Sequence, residues 1–599
     1  MTAGAGRAFR SDFRLAGARM KAQTFGMSIA SRLAALALLA PLAACATAGG
    51  DLRVRSAATS APAPDRSQYG LFLAGQAALN SGHSAEAADY FARASNDAPG
   101  SGLLKERAFT AALIAGDVSR AAQLAPGPDD GSAVSQRLGR LTQAVDALAS
   151  GKGKAAYAIL SGDPIGVPHR TAAALLKPWA AAAAGDWTAA VVAPDLPGDR
   201  FGQYFATLDQ GLLFERAKRY DDAEAAFKSL LERDDGPGIF PLAYGAFLER
   251  RGRQADAVEI YDRALKRAPN DASLRAAKAR AEAKGAPPPQ PTLAEGAAQA
   301  VLAPAAQLLA QKQPEMGLAY LRLVLRLDPS RDEAWLLVGD AMREAGDVDA
   351  ARSAYNRPRA GSSEYAAARA RLAWTYQDAS DGPGALKIID EAVKAAPDSI
   401  DAQTAYADLL RANKRYAESA AVLDKVVVQE GDRADWRLYY ARGVSLERAG
   451  RWPEAERDLR QALKLQPDQP EVLNYLGYSW VDRGERLKEA LAMIEKAVEA
   501  QPKSGAMTDS LGWAHYRLGD YKRAVDLLER AVELDASDPD VNNHLGDAYW
   551  RVGRKLEARF QWNRVLTLEP EPALRDEVEQ KLKSGLGAGK AVAAAVAAS

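Results

Sequence analysis

One interval, 34 residues, organises this chain. The stretches DSLGWAHYRLGDYKRAVDLLERAVELDASDP (509–539) and NHLGDAYWRVGRKLEARFQWNRVLTLEPEP (543–572) align so that Gly512 and Gly546, Gly519 and Gly553, and Ala524 and Ala558 each stand 34 residues apart. The register extends backwards through Ala305, Gly339, Ala373, Ala407, Gly443, Gly477, Gly512 and Gly546, at successive spacings of 34, 34, 34, 36, 34, 35 and 34. About a dozen residues after each stands a second small position, held by Gly317, Ala351, Ala385, Ser419, Ala455, Ala490, Ala524 and Ala558. Prolines close the units at Pro329, Pro397, Pro467, Pro502 and Pro570. A period of this length means stacked copies of one supersecondary unit. A chain of 599 residues is too long for one hydrophobic core, and a stack removes that difficulty.

Each unit reads as two antiparallel helices. With the glycines set at position 8, small residues at positions 8 and 20 let the two backbones approach, and bulky residues at 4, 7, 11, 17 and 24 fill the space left. Proline at 32 stops the second helix because it has no N–H to donate. Ala is abundant and aromatic content is 7%, which suits packed helices better than strands. This pattern resembles the tetratricopeptide repeat, and the resemblance implies an all-α fold, a right-handed superhelical α-solenoid of helix-turn-helix units. Gly211 and Gly245, with Ala223, Ala257 and Pro269, mark two further good repeats, and Gly75 with Ala87, Phe91, Ala94 and Pro99 marks another. Stretches around 103–126, 138–162 and 171–194 read as decayed copies that keep a Gly-Asp turn or the following Ala pair, for about fourteen units with ten of them clear. Consecutive prolines in GAPPPQPT (285–292) favour extended backbone and interrupt the array. The expected organisation is a partly degenerate segment 67–284, the linker 285–292, an eight-repeat array 293–583, and a low-complexity, disordered tail 584–599.

The amino terminus reads as an address. LAALALLAPLAA (33–44) behind Arg32 is too short for a permanent membrane span and fits the apolar core of an export signal. It ends in Leu42-Ala43-Ala44-Cys45, which resembles the lipobox of bacterial lipoproteins; Cys45, the chain's one cysteine, is the lipidation site this implies. Residues 1–44 are then signal peptide, with Met1, Met20 and Met27 as candidate starts. Residues 46–66, rich in Ala, Gly, Ser and Pro, read with Cys45 as a tether (45–66). Such a tether reaches roughly 25 Å root-mean-square. Ala46 follows the cysteine where many inner-membrane lipoproteins carry Asp, so the expected location is the cell envelope, anchored and facing the periplasm, at the outer membrane.

Beyond the signal the chain holds 71 basic and 76 acidic residues, which argues against nucleic-acid binding. One cysteine permits no intrachain disulfide, and His83, His169, His515 and His544 show no metal-ligand spacing. Gly585-Leu-Gly-Ala-Gly589-Lys590 lacks the spacing and the Ser or Thr of a phosphate loop, and no GxSxG occurs. No enzyme activity, cofactor or metal is expected.

At 100° per residue, positions 4, 7, 8 and 11 of the first helix face the packing side and positions 2, 5, 9, 12 and 13 face away. In tetratricopeptide arrays the latter set lines the concave groove. In the last four repeats it supplies Tyr440; Asn474, Tyr478 and Asp482; Asp509, Trp513, Tyr516 and Arg517; and Asn543, Asp547, Trp550 and Arg551. Asn can bond both main-chain groups of a peptide, aromatics give apolar area, and Arg pairs with carboxylates. The alternative role for these aromatics is padding between neighbouring repeats. Lipobox, tether and repeats together, with NYLGYSWVDRGERLKEALAMIEKAVEAQP (474–502) and DSLGWAHYRLGDY (509–521) as the strongest stretches, resemble outer-membrane adaptor lipoproteins of periplasmic carboxy-terminal processing proteases. That resemblance implies a scaffold that binds proteins or extended peptides and recruits cell-wall hydrolases to a protease. The other non-enzymatic reading is an assembly factor for a pilus, polysaccharide-export or β-barrel insertion complex.

Overall fold

The structure, a computed structural model, describes residues 67–587 apart from 99, 233–237 and 269–270. The signal, Cys45 and the tether lie outside the described residues. The chain is helical throughout with no strands among the described residues. It divides into two compact units between Ala402 and Gln403, inside the helix Ile400–Ala412.

The repeat unit is built as its small positions dictate. In eight repeats a position-8 glycine lies against the bulky position-24 residue of its partner helix: Gly75 on Phe91, Gly211 on Phe227, Gly245 on Tyr261, Gly339 on Tyr355, Gly443 on Leu459, Gly477 on Ile494, Gly512 on Leu528 and Gly546 on Trp562. A Cβ at these glycines would enter the opposing side chain, so the residue type follows from helix spacing rather than from backbone flexibility. The alanines at position 20 are fully enclosed at Ala223, Ala257, Ala351, Ala385, Ala455, Ala490, Ala524 and Ala558. Where position 24 has a polar tip, a first-helix carboxylate meets it: Tyr261 Oη donates to Glu249 at 2.7 Å, Tyr355 Oη to Asp340 at 2.8 Å and Trp562 Nε1 to Asp547 at 3.0 Å. Buried polar tips need such partners.

The Gly-Asp turns have a shared construction. Gly116, Gly185, Gly346 and Gly519 are left-handed, and the following Asp117, Asp186, Asp347 and Asp520 accept from the N–H three residues on, at 2.9–3.2 Å. Gly supplies the C-terminal cap of one helix and Asp the N-terminal cap of the next. The degenerate stretches are therefore real hairpins, Gly102–Ala115 with Val118–Gln123, Ala133–Ala149 with Gly153–Ser161, and Arg170–Ala184 with Trp187–Ala190. Their second helices are shortened, which is why the 34-residue pattern fades there.

In the unit ending at Ala402, the segment 285–292 is non-helical, as its prolines require, yet it does not separate two cores. The hairpin Leu293–Ala310 and Pro314–Leu327 packs back onto the first helices Gly102–Ala115, Ala133–Ala149, Arg170–Ala184 and Arg200–Arg216. The Pro314 helix is enclosed almost all round, with Leu318, Ala319, Tyr320, Leu321, Leu323, Val324 and Leu325 buried. Only its first turn and the stripe of Arg322 and Arg326 keep any exposure. Its few polar groups are paired with distant residues: Tyr320 Oη lies 2.7 Å from His169 Nδ1, Arg322 Nε donates to the Ile114 carbonyl at 2.9 Å, and Arg326 Nε to Asp146 at 2.9 Å. Gly296 lies flat on the indole of Trp179, an approach that no side chain would allow. One continuous core accordingly runs from Phe109 to Leu372 across the proline segment.

In the unit beginning at Gln403, first helices start at position 1 of the register: Trp436–Arg448, Pro470–Arg483, Gly505–Leu518 and Pro539–Arg551. The Pro470, Gly505 and Pro539 helices pack against one another in sequence, closer than their second helices do, so first helices line the inner side of this array. The final helix Pro572–Ser584 occupies the next first-helix place.

Candidate functional site

The twelve inner-face residues separate into two sets. Tyr440, Asn474, Asp509, Trp513, Asn543 and Asp547 are buried, while Tyr478, Asp482, Tyr516, Arg517, Trp550 and Arg551 are partly exposed. All of the buried set but Asn474 make contacts between neighbouring repeats. Trp513 is sandwiched between Tyr516 (centroids 4.5 Å, 8° between planes) and His544 (4.1 Å, 17°). His544 Nδ1 lies 2.9 Å from both oxygens of Asp509 in the preceding repeat. Tyr440 stands apart from this group, edge-on to Tyr475 at 5.9 Å.

A second cluster closes the end of the array. Lys581 Nζ, on the Pro572 helix, donates to Asn543 Oδ1 at 2.9 Å and Asp547 Oδ2 at 2.8 Å, and sits 2.6 Å from Glu577. Burial opposes its charge, but Asp547 and Glu577 outweigh that and raise the pKa above the usual lysine value. His544 and Lys581 were not among the residues expected from sequence. Lys581 stands 34 residues after Asp547, so extending the register by one helix points to it. His544, at position 6, falls about 20° beyond position 13 at the edge of the outward-facing set, a place the five positions taken for the groove leave out.

The exposed set joins these clusters along the surface. Arg551 Nε donates to Tyr516 Oη at 3.1 Å and Arg551 Nη1 to the Gly587 carbonyl at 3.0 Å, while Arg517 Nη1 donates to the Asp482 carbonyl at 3.0 Å. Desolvation raises the Asp482 pKa against the pull of Arg517, Arg483 and His544. Among the described residues no group of three or more His, Cys, Asp or Glu is placed to hold a metal, and no helix is long and apolar enough to cross a membrane. The arrangement offers aromatic faces and guanidinium donors along a line of first helices, which suits contact with another chain.

A family model described as tetratricopeptide repeat matches residues 208–272, 305–366, 370–435 and 440–505, and one described as TPR repeat matches 512–553. The chain belongs to the tetratricopeptide-repeat family. The TPR repeat-containing protein PA4667 of Pseudomonas aeruginosa is 38% identical over 95 residues, 15% of this chain and 16% of that one, so the match spans about a sixth of that relative. Among solved structures, the Cut9–Hcn1 hetero-tetramer of the APC/C aligns with TM-score 0.38 and 15% identity over 87% of this chain and 96% of that chain. YrrB, a TPR protein with an unusual peptide-binding site, aligns with TM-score 0.25 and 18% identity over 32% of this chain and 97% of its own. Tetratricopeptide arrays bind other proteins or peptides, and the fold is typically a scaffold without catalysis.

His544 is expected to make the stability of this tetratricopeptide array depend on pH. Burial disfavours the His544 cation, but Asp509, Asp540 and Asp547 outweigh it and raise the pKa above 6.5. A group with a raised folded pKa contributes fully below its unfolded value and loses that contribution as pH rises through the folded one. Unfolding of the array should therefore shift to lower temperature as pH rises from about 6.5, the unperturbed histidine value, through the raised pKa. His544→Gln should flatten that slope. Calorimetry of both proteins from acid to mildly basic pH checks it, and equal slopes would remove His544 as the cause.

Proposed function

We propose that this protein is an envelope-anchored scaffold that captures extended segments of partner proteins on the inner face of the array beginning at Gln403. In this reading Cys45 carries the lipid and residues 46–66 hold the array away from the membrane. The scaffold brings cell-wall hydrolases to a carboxy-terminal processing protease by raising their effective concentration.

One observation carries the capture reading: the contrast between the two inner faces. In the first unit that face is covered by the Leu293–Leu327 hairpin, whereas in the second Tyr478, Asp482, Tyr516 and Arg517 keep exposed surface, and Trp550 and Arg551 are met by the short non-helical stretch 585–587. The anchor rests on the Leu42–Cys45 sequence alone. Its test is metabolic acyl labelling, which Cys45→Ser should abolish while moving the protein to the soluble fraction.

The partner test is a cross-linked pull-down of the tagged protein from its native envelope, wild type beside Tyr478→Ala/Arg517→Ala. These side chains are partly exposed, so the variant should remain folded, unlike changes at the enclosed Trp513. A processing protease and cell-wall hydrolases should co-purify, with the variant losing the hydrolases by tenfold or more. Recovery of pilus, export or barrel-assembly subunits instead would replace the adaptor reading with that of an assembly factor.

A further inference from the structure

The chain already shows how its inner-face arginines hold extended backbone, and it does so in two separate places. In the first unit, Arg216 and Arg250 each stand five residues after a position-8 glycine, at position 13. Arg216 Nη1 donates to the Pro291 carbonyl, and Arg250 Nη1 to the Pro288 carbonyl at 3.2 Å. The non-helical segment 285–292 is therefore held across the Arg200 and Ile239 helices by carbonyl contacts from position 13. In the second unit, Arg551 stands at the same position after Gly546, and its Nη1 donates to the Gly587 carbonyl.

The seat at Arg551 has three parts. Gly585, at φ +71° and ψ −178°, turns the chain back after the Pro572–Ser584 helix, and its Cα meets the ring of Trp550 so closely that a Cβ would enter it. Leu586 joins the apolar cluster that contains Trp562 and Val578. Gly587 then presents its carbonyl to Arg551. Trp550 is backed by Trp562 at 5.3 Å and carries Lys555 Nζ at 5.1 Å, so its position is fixed. Small residue, apolar residue, small residue is thus the pattern the seat accepts. Its polar contact to the segment is to a main-chain carbonyl.

We infer that the Trp550–Arg551 face is a seat for an extended segment of small residues, and that the chain's own stretch 585–587 is its resident occupant, which a partner must displace. The inference rests on reading the inner face as a peptide groove. Arg551 also donates to Tyr516, which stacks on Trp513, so release of the resident segment frees one end of the line that joins the last two repeats.

The test uses a labelled synthetic peptide of residues 584–599 and fluorescence anisotropy against three forms of the full protein. These are wild type, a form ending at Ser584, and Gly585→Val, which keeps the full length but places a Cβ against Trp550 at a φ that suits glycine. The shortened form and Gly585→Val should bind the peptide saturably, at least tenfold tighter than wild type, whose seat is filled intramolecularly. Adding Arg551→Ala to the shortened form should abolish binding. Thermal melts identify a form that has not folded, in which case the other released form decides. Absence of binding to the folded released forms, or equal binding to wild type, would overturn the inference. The hydrolase capture read on wild type and Tyr478→Ala/Arg517→Ala would stand or fall separately.

Discussion

Val324→Asp is expected to unfold the 67–402 unit while leaving the second array protected. Val324 lies in the middle of the Pro314–Leu327 helix with no solvent exposure, facing first helices whose inner surface it helps to cover. A carboxylate there is fully enclosed, and burying it without a partner costs a large share of the stability of an ordinary domain. The expected loss exceeds about 4 kcal/mol, against about 1–3 kcal/mol for Val324→Ala, which only leaves a cavity. Limited proteolysis with mapped cleavage sites separates the outcomes. Val324→Asp should open sites between residues 100 and 330 while fragments from the 403–587 array survive. If those early sites stay protected, the hairpin is a surface attachment and not the core of the unit.

The second large effect is expected at Lys581. Its ammonium neutralises a buried Asp547 and satisfies Asn543, so Lys581→Met leaves a carboxylate and an amide enclosed without their partner. Removing one member of a buried ion pair typically costs about 3–5 kcal/mol. Asp547→Asn in the same chain should recover part of this by removing the stranded charge. Some loss should remain, because Asn543 Oδ1 also loses the ammonium as its donor. The sign of the pH dependence is set by the raised lysine pKa: the contribution is whole below the unfolded value of about 10.4 and disappears as pH rises through the folded one. Urea unfolding followed by the fluorescence of Trp550 and Trp562 reports this end of the array. An unchanged midpoint in Lys581→Met would show the cluster to be solvated and energetically idle.

The fold was legible because its constraints are local and periodic. Gly512 against Leu528 and Gly546 against Trp562 are contacts within one hairpin, sixteen residues apart, so the sequence states them directly. The Gly-Asp turns were equally readable, since one residue needs a left-handed backbone and the next a capping oxygen. The hairpin at 293–327 was not readable in this way. Its repeat positions, Ala305 and Gly317, are those of any member of the array. Only the narrowness of the polar stripe in LAYLRLVLRL, Arg322 and Arg326 four residues apart, hints that it is enclosed, and nothing local says by what.

The inner face was legible as a set of positions but not as a set of exposures. Arithmetic on a single helix places Trp513 and Asp509 away from their own hairpin. It cannot show that the next first helix arrives close enough for His544 to cover both. The distance between successive repeats decides which of these residues a partner can touch, and that distance is a property of the stack.

The hairpin that completes the first unit also fixes an order of events. Its polar ties reach back 151 residues to His169, 180 to Asp146 and 208 to Ile114. Contacts this distant in sequence close slowly, and apolar surface waits uncovered until they form. Polymerised from its amino terminus, the chain produces the helices between Gly102 and Arg216 well before it produces Leu321 and Val324. For the interval needed to add those residues, at roughly 5–20 per second, the early helices exist with their inner faces wet. A ribosome stalled before residue 327 would hold a half-built solenoid, a natural client for a holding chaperone, and one stalled well after Ala402 would hold a finished unit.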